Sequence, residues 1–241
     1  TLQSIEIMLQ KTLELRPDRI ALYSFALIPW IKPGQKLFRD EDLPRGAAKR
    51  ALYEKVRSGL LEAGYIEIGM DHFALPGDLL AKALASGSLH RNFMGYIDRE
   101  TSVLLGLGVS AISETPTAFA QNEKVLPKYE ALVDNEKWTG FRGHRLTAED
   151  RHVRAQILRL MTQGELDLDH SEDIQRVQPV LSELRADGIL EWRETPTGTV
   201  HLHVPVQGRA FLRNICVAFD RRLQQAQAQQ DVQGKRFSQS M

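Results

Sequence analysis

The sequence predicts an α/β protein, with parallel strands joined by crossover helices, followed by a mostly helical unit of winged-helix type. Three observations carry that expectation. A helical pattern, a short apolar run, a long amphipathic helix and a second short apolar run alternate over the first 70 residues, the rhythm of parallel strands with crossovers. After Thr147 the pattern changes to helices interrupted by one hairpin. The chain of 241 residues is long enough for one or two domains, each with its own core.

Ile5, Met8, Leu9 and Leu13 recur at helical spacing, and Arg16-Pro17-Asp18 stops that helix. The run 20–27 is short and almost wholly apolar, as expected of a strand buried on both faces. Residues 29–44 hold Pro29, Gly34 and Pro44 and read as a loop. An amphipathic helix is expected over 45–63, with Gly64 as its C-terminal cap. The strand expected at 65–70 then delivers Asp71 and His72 to its C-terminal end, where open α/β sheets and barrels place their ligands.

Residues 77–101 read as a long polar connection with a short helix at 79–85. Loops of that length in a compact domain are commonly functional. A second apolar, glycine-containing run covers 104–112, a short helix 126–133, and an extended link 138–145. Thr147 to Asp150 has the form of a capping box opening a helix over 151–162. A helix at 178–186, a hairpin of 189–193 with 199–204 about Thr195-Pro-Thr-Gly198, and a last helix from Gly208 into the glutamine-rich 224–230 complete the chain. The expected division is 1–145, 146–230 and a disordered tail, 231–241.

Lysine plus arginine and aspartate plus glutamate balance at 31 each, so no global field attracts nucleic acid or an anionic membrane. The apolar run 20–30 is broken by Tyr23, Ser24 and Pro29 and falls short of the roughly 20 residues that span a bilayer. A single cysteine, Cys216, excludes an intrachain disulfide and suits a reducing, cytoplasmic setting. The chain opens on Thr1 with a helical pattern already under way, which leads us to expect further sequence upstream.

Three segments are dense in unusual residues: GMDHFALPGD (69–78), HRNFMGY (90–96) and LLGLGVSAIS (104–113). With RIALYSFALIPW (19–30), FAQNEK (119–124) and RAFLRNICVAFD (209–220), they resemble the oxygen-independent coproporphyrinogen III oxidases, radical S-adenosylmethionine enzymes of haem biosynthesis. The resemblance extends from about Pro17 to Asp220. It implies that the first unit is the last portion of a partial β/α barrel, with an exposed sheet edge available for self-association. It implies oxidative decarboxylation of two propionates of coproporphyrinogen III to vinyl groups. S-adenosylmethionine and a [4Fe–4S] cluster are the implied cofactors. The family holds its cluster on a CxxxCxxC motif, and one cysteine cannot supply those thiolates, so the chain alone is expected to be inactive. A haem-binding relative without oxidase activity is the alternative, although such relatives carry an HN…YW pattern where this chain reads HRNFMGY.

Of the contacts that the family makes with a second S-adenosylmethionine, the resemblance carries over Ala26 and Ile112. Both also read as ordinary core residues. Met94 stands where the family motif HRNFQGYTT has glutamine, replacing an amide that donates and accepts with a thioether that barely accepts. It reads equally as packing. Asp71, His72, His90, Arg91 and Asn92 are the candidate substrate residues: arginine offers a planar fork to a propionate and histidine a mobile proton. A loop-bonded His72, and an Arg91 paired with Asp98 or Glu100, remain the plain alternatives. No regular ligand spacing makes a metal site of Asp71, His72 and His90. Gly106 to Ser110 lacks a full phosphate-loop fingerprint and reads as a tight turn. His201 and His203 share one strand face as a solvated wing surface. Cys216 reads as a small buried hydrophobe. Arg209, Arg213, Arg221 and Arg222 suggest DNA only weakly, since Asp220 and the neutral overall charge oppose it.

Overall fold

The structure is a computed structural model and describes residues 1–229; the tail expected at 231–241 lies outside them. Helix α1 (Leu2–Leu15) is capped by Thr1 and ends at Arg16, which takes a left-handed conformation just ahead of Pro17. It packs on α2 (Gly46–Glu62), where the lack of a side chain at Gly59 lets Leu9 approach: a Cβ there would clash with the Leu9 Cδ2. Between the helices and the first sheet, Val56, Leu60, Tyr65 and Phe73 are buried with Ile5, Leu9, Leu13 and Ile20 against them. Each fully buried apolar side chain contributes roughly 1.5–3 kcal/mol.

That sheet corrects the parallel expectation. Strands β1 (Arg19–Ala21), β2 (Ile66–Gly69) and β3 (His72–Ala74) lie in the order β1-β3-β2, and both pairings are antiparallel. Only two residues separate β2 from β3, so β3 returns as a hairpin strand and lies between β1 and β2, which α2 connects and which run in the same direction without pairing. The buried strand expected over 20–27 shrinks to β1, and beyond it Tyr23 and Phe25 are exposed. Apolarity in that run leads to the expectation of burial, but among the described residues no strand covers it.

The long connection after β3 is also more ordered than expected. Asp78 caps α3 (Leu79–Ser86), and a hairpin follows of β4 (His90–Asn92) and β5 (Gly95–Ile97). The apolar run 104–112 is not one element: Leu104 bridges Glu114, the chain turns near Gly108, and β6 (Ile112–Thr115) begins only at its end. Strands β6, β7 (Ala118–Asn122) and β8 (Gly140–Arg145) form a second antiparallel sheet, with α4 (Leu126–Asp134) between β7 and β8. The link expected at 138–145 is therefore a paired strand.

After it comes α5 (Ala148–Gln163), whose capping box is formed as expected by Thr147 and Asp150. Strand β9 (Glu165–Leu168) and α6 (Ser171–Ala186) follow, the helix starting seven residues earlier than its apolar pattern suggests and running through Pro179. Strands β10 (Glu191–Glu194) and β11 (Val200–His203) close a third antiparallel sheet in the order β10-β11-β9. The single last helix expected from Gly208 is divided into a 3-10 segment (Val206–Phe211), α7 (Leu212–Val217) and α8 (Arg221–Gln229). Buried Ala218 and Phe219 occupy the break, so continued burial masks the interruption in the sequence pattern. The core of this part joins Leu160, Leu168, Val177, Leu181, Leu202, Ile215 and Phe219. Among the described residues no helix is long and apolar enough to cross a membrane.

Candidate substrate-binding site

The site is built where the β2–β3 turn meets the β4–β5 hairpin. Met70 takes φ of 48°, a conformation that costs a non-glycine residue roughly 1–3 kcal/mol. Its carbonyl is held by the Tyr53 hydroxyl of α2 at 3.2 Å. The Asp71 carbonyl accepts the Leu22 amide at 2.6 Å, which ties the turn to the end of β1. The Asp71 carboxylate lies 2.8 Å from Nδ1 of His72. Burial pushes the Asp71 pKa up, but the bond to His72 and the nearby Arg91 guanidinium outweigh it and hold the group below its ordinary value.

Facing this turn, Tyr96 on β5 is buried, with 5% of its surface exposed. Its hydroxyl donates to the Met161 carbonyl of α5 at 2.9 Å, and burial raises its pKa despite the opposing Arg91 charge. The His72 ring meets the Tyr96 ring edge-on, 5.3 Å between centroids. The Arg91 guanidinium carbon lies over the same ring at 5.4 Å. Two glycines make the approach possible: a Cβ on Gly69 would stand 2.5 Å from the Tyr96 hydroxyl oxygen, and one on Gly95 would stand 3.4 Å from Nε2 of His72. Beneath the cluster lies Cys216 of α7, its thiol pushed up to about 12 by burial with Arg91 acting against it.

Asp71, His72 and Arg91 are thus brought together around Tyr96. The bond to Asp71 confirms part of the plain reading of His72, but only its Nδ1 is used. Arg91 pairs with neither Asp98 nor Glu100, and its buried Nε has no hydrogen-bond partner. Asn92 has a local task, accepting the Met94 amide at 2.8 Å to close the hairpin turn. His90 pairs with Ile97 across the hairpin. Met94 is 80% exposed at the tip, so packing does not explain it. Ala26 is exposed in the irregular segment after β1 and Ile112 is half-buried at the start of β6; no hydrogen bond or ring contact joins them to Met94 among the described residues. Sequence reasoning gives Tyr96 no role within HRNFMGY, and the glycines at 69 and 95 are the signal that a ring packs between the segments.

The remaining charged candidates are satisfied elsewhere. His201 and His203 stand opposite Asp167 and Glu165 across β9–β11, at 2.7 and 3.3 Å. Arg222 reaches Asp150, while Arg221 reaches Glu149, Glu172 and Asp173. Those two arginines therefore present little free positive charge to a phosphate backbone. One buried thiol with a raised pKa does not fit a cluster that needs several thiolates. Among the described residues no group of three His, Cys, Asp or Glu side chains is placed to hold a metal ion.

No protein-family model matches the chain. Its fold does have a solved counterpart: coproporphyrinogen III oxidase (HemN) from Escherichia coli, described as a radical SAM enzyme, matches 92% of this chain and 52% of its own, with a TM-score of 0.83 and 35% identity. Fold and sequence together therefore place the chain among the relatives of that enzyme. Among curated proteins, the oxygen-independent coproporphyrinogen III oxidase of Thermostichus vulcanus is 40% identical over 235 residues, covering 93% of this chain and 71% of the relative. That of Synechocystis is 38% identical over 235 residues, covering 92% and 49%. The chain belongs to the family of oxygen-independent coproporphyrinogen III oxidases. It spans about half the length of the Synechocystis and Salmonella relatives it matches.

Proposed function

We propose that this chain is the C-terminal, substrate-holding portion of a cytoplasmic coproporphyrinogen III oxidase, and that the whole enzyme converts two propionates of coproporphyrinogen III to vinyl groups. The observation that carries this reading is similarity over more than nine-tenths of the chain to relatives bearing that name. The Synechocystis and Thermostichus vulcanus relatives are oxidases by name, and nothing in the site favours the haem-carrier alternative. The chain's own residues do not fit the cluster, so they supply binding, orientation and exclusion of water. In this reading Asp71, His72, His90, Arg91 and Asn92 face the substrate. Ala26, Ile112 and Met94 lie at the second S-adenosylmethionine, where Met94 contributes contact area in place of an amide's hydrogen bonds.

The same reading divides the chain near residue 145, with a barrel portion ahead of it and a winged-helix-like unit behind. The β9–α6–β10–β11 order supports the second assignment. The outer edge of β1, which pairs with no strand among the described residues, supports self-association there. Replacing the matching portion of the Escherichia coli enzyme with this chain tests the function. Anaerobic turnover by the reconstituted hybrid, lost on Arg91→Ala, is the expected result. A hybrid that carries its cluster and cleaves S-adenosylmethionine yet leaves coproporphyrinogen III unchanged would overturn it.

A further inference from the structure

One hydrogen-bond donor and one imidazole nitrogen are left over at one ring. Arg91, over the face of Tyr96, has a buried Nε with no partner. His72, against the edge of the same ring, uses Nδ1 on Asp71, while Nε2 points toward the space left by the missing side chain of Gly95. A buried donor without a partner, as Arg91 Nε is, calls for an explanation, and an acceptor supplied by a ligand is one. Among the groups that surround them, Tyr53, Tyr96 and Cys216 have pKa values raised by burial and stay neutral near pH 7. The charges that remain are Asp71, Arg91 and His72. With a neutral imidazole these sum to zero, and with an imidazolium to plus one, the charge that one carboxylate would balance.

We propose that Arg91 and His72 form a binding subsite for a single carboxylate on the platform of Tyr96, with Asp71 as the positioning residue that holds His72 through Nδ1 and fixes its orientation. This rests on the tetrapyrrole reading above and narrows it to one propionate. Asp71 accepts Nδ1–H, so a protonated His72 donates Nε2–H to the ligand, while Arg91 donates its planar fork. Protonation of His72 and binding of the carboxylate are linked: affinity is greatest at low pH and falls as the imidazole loses its proton. The Tyr96 hydroxyl, anchored on α5, keeps both donors in register.

The test is a fluorescence titration of the chain with coproporphyrin III, the stable oxidised form of the substrate, and with its tetramethyl ester, from about pH 6 to about pH 8. Expected are saturable binding of the acid, binding of the ester weaker by about tenfold, and loss of affinity as pH rises. Arg91→Gln is expected to weaken the acid by a similar factor. His72→Gln is expected to bind weakly with a flat pH profile. Asp71→Asn, which alters the acceptor of Nδ1–H, is expected to weaken the acid while leaving the ester unchanged, a split that a merely structural role would not produce. Thermal melting of each variant reports whether it folds, and the acid-to-ester comparison stands without any variant. Equal binding of acid and ester, a pH dependence that survives His72→Gln, or no binding by the unsubstituted chain overturns the subsite. Turnover by the hybrid with such a result leaves the oxidase reading standing, whereas a silent hybrid with an intact subsite contradicts the oxidation alone.

Discussion

Gly69 shows how closely single residues are matched at the site. Its missing side chain leaves the space in which the Tyr96 hydroxyl rests, and the ring's Cζ lies only 2.7 Å from where a Cβ would stand. The ring cannot swing aside without breaking its bond to Met161 and its contacts with His72 and Arg91. Gly69→Ala is therefore expected to destabilise the chain by about 1–3 kcal/mol, as overpacking does, seen as a lower thermal midpoint; an unchanged midpoint would mean that the ring has room to move. Tyr96→Phe removes the hydroxyl alone and should cost about 1 kcal/mol. Asp71 and His72 at a strand end, and Arg91 in HRNFMGY, were marked out in the sequence as candidates because charged residues in glycine-punctuated stretches point to chemistry. Tyr96 was not, since a tyrosine in a short motif does not reveal which segment its ring will meet.

Among the elements, α5 carries most of the connection between the site and the C-terminal sheet. Its start depends on the Thr147 cap, whose side chain accepts the Asp150 amide at 3.1 Å. Thr147→Ala should cost about 1 kcal/mol, measurable by urea denaturation, and no change would show that the cap is redundant. Further along, Asp173 of α6 is 2% exposed and accepts from His152 and Gln156 of α5, Arg176 of its own helix and Arg221 of α8. Burial pushes the Asp173 pKa up, but these bonds outweigh it and hold the carboxyl well below its ordinary value. A depressed carboxyl contributes stability that is full above the unfolded value, near pH 4, and is lost as pH falls through the folded one. Asp173→Asn should remove about 3 kcal/mol at neutral pH and flatten acid unfolding. A steep acid transition that survives the substitution would assign it to other carboxylates. The capping box and the hairpin were readable from local rules, whereas strand direction was not. The run 20–27 records apolarity, and β1 pairs antiparallel because its neighbour is not β2 but β3, which returns through the Met70–Asp71 turn.

At the scale of the whole molecule, the segment ahead of α2 leaves Tyr23, Phe25, Leu37 and Phe38 at least half exposed, the first two inside the run 20–27 that the sequence marks as buried. In the proposed enzyme that surface would face the cofactor-bearing part, and the Asp71–His72–Arg91 cluster would hold one end of the tetrapyrrole. The family was legible because its motifs survive as contiguous strings. The single cysteine equally marked what this chain does not supply, and reconstitution with iron and sulfide should give no cluster absorption from it. Side-by-side titration of the chain with coproporphyrin III and with haem tests the central claim most directly. Stoichiometric binding of coproporphyrin III, weakened by Arg91→Gln, with little affinity for haem, is the result expected of an oxidase's substrate-holding portion. Tight binding of haem with none of coproporphyrin III would contradict it and make the chain a haem carrier.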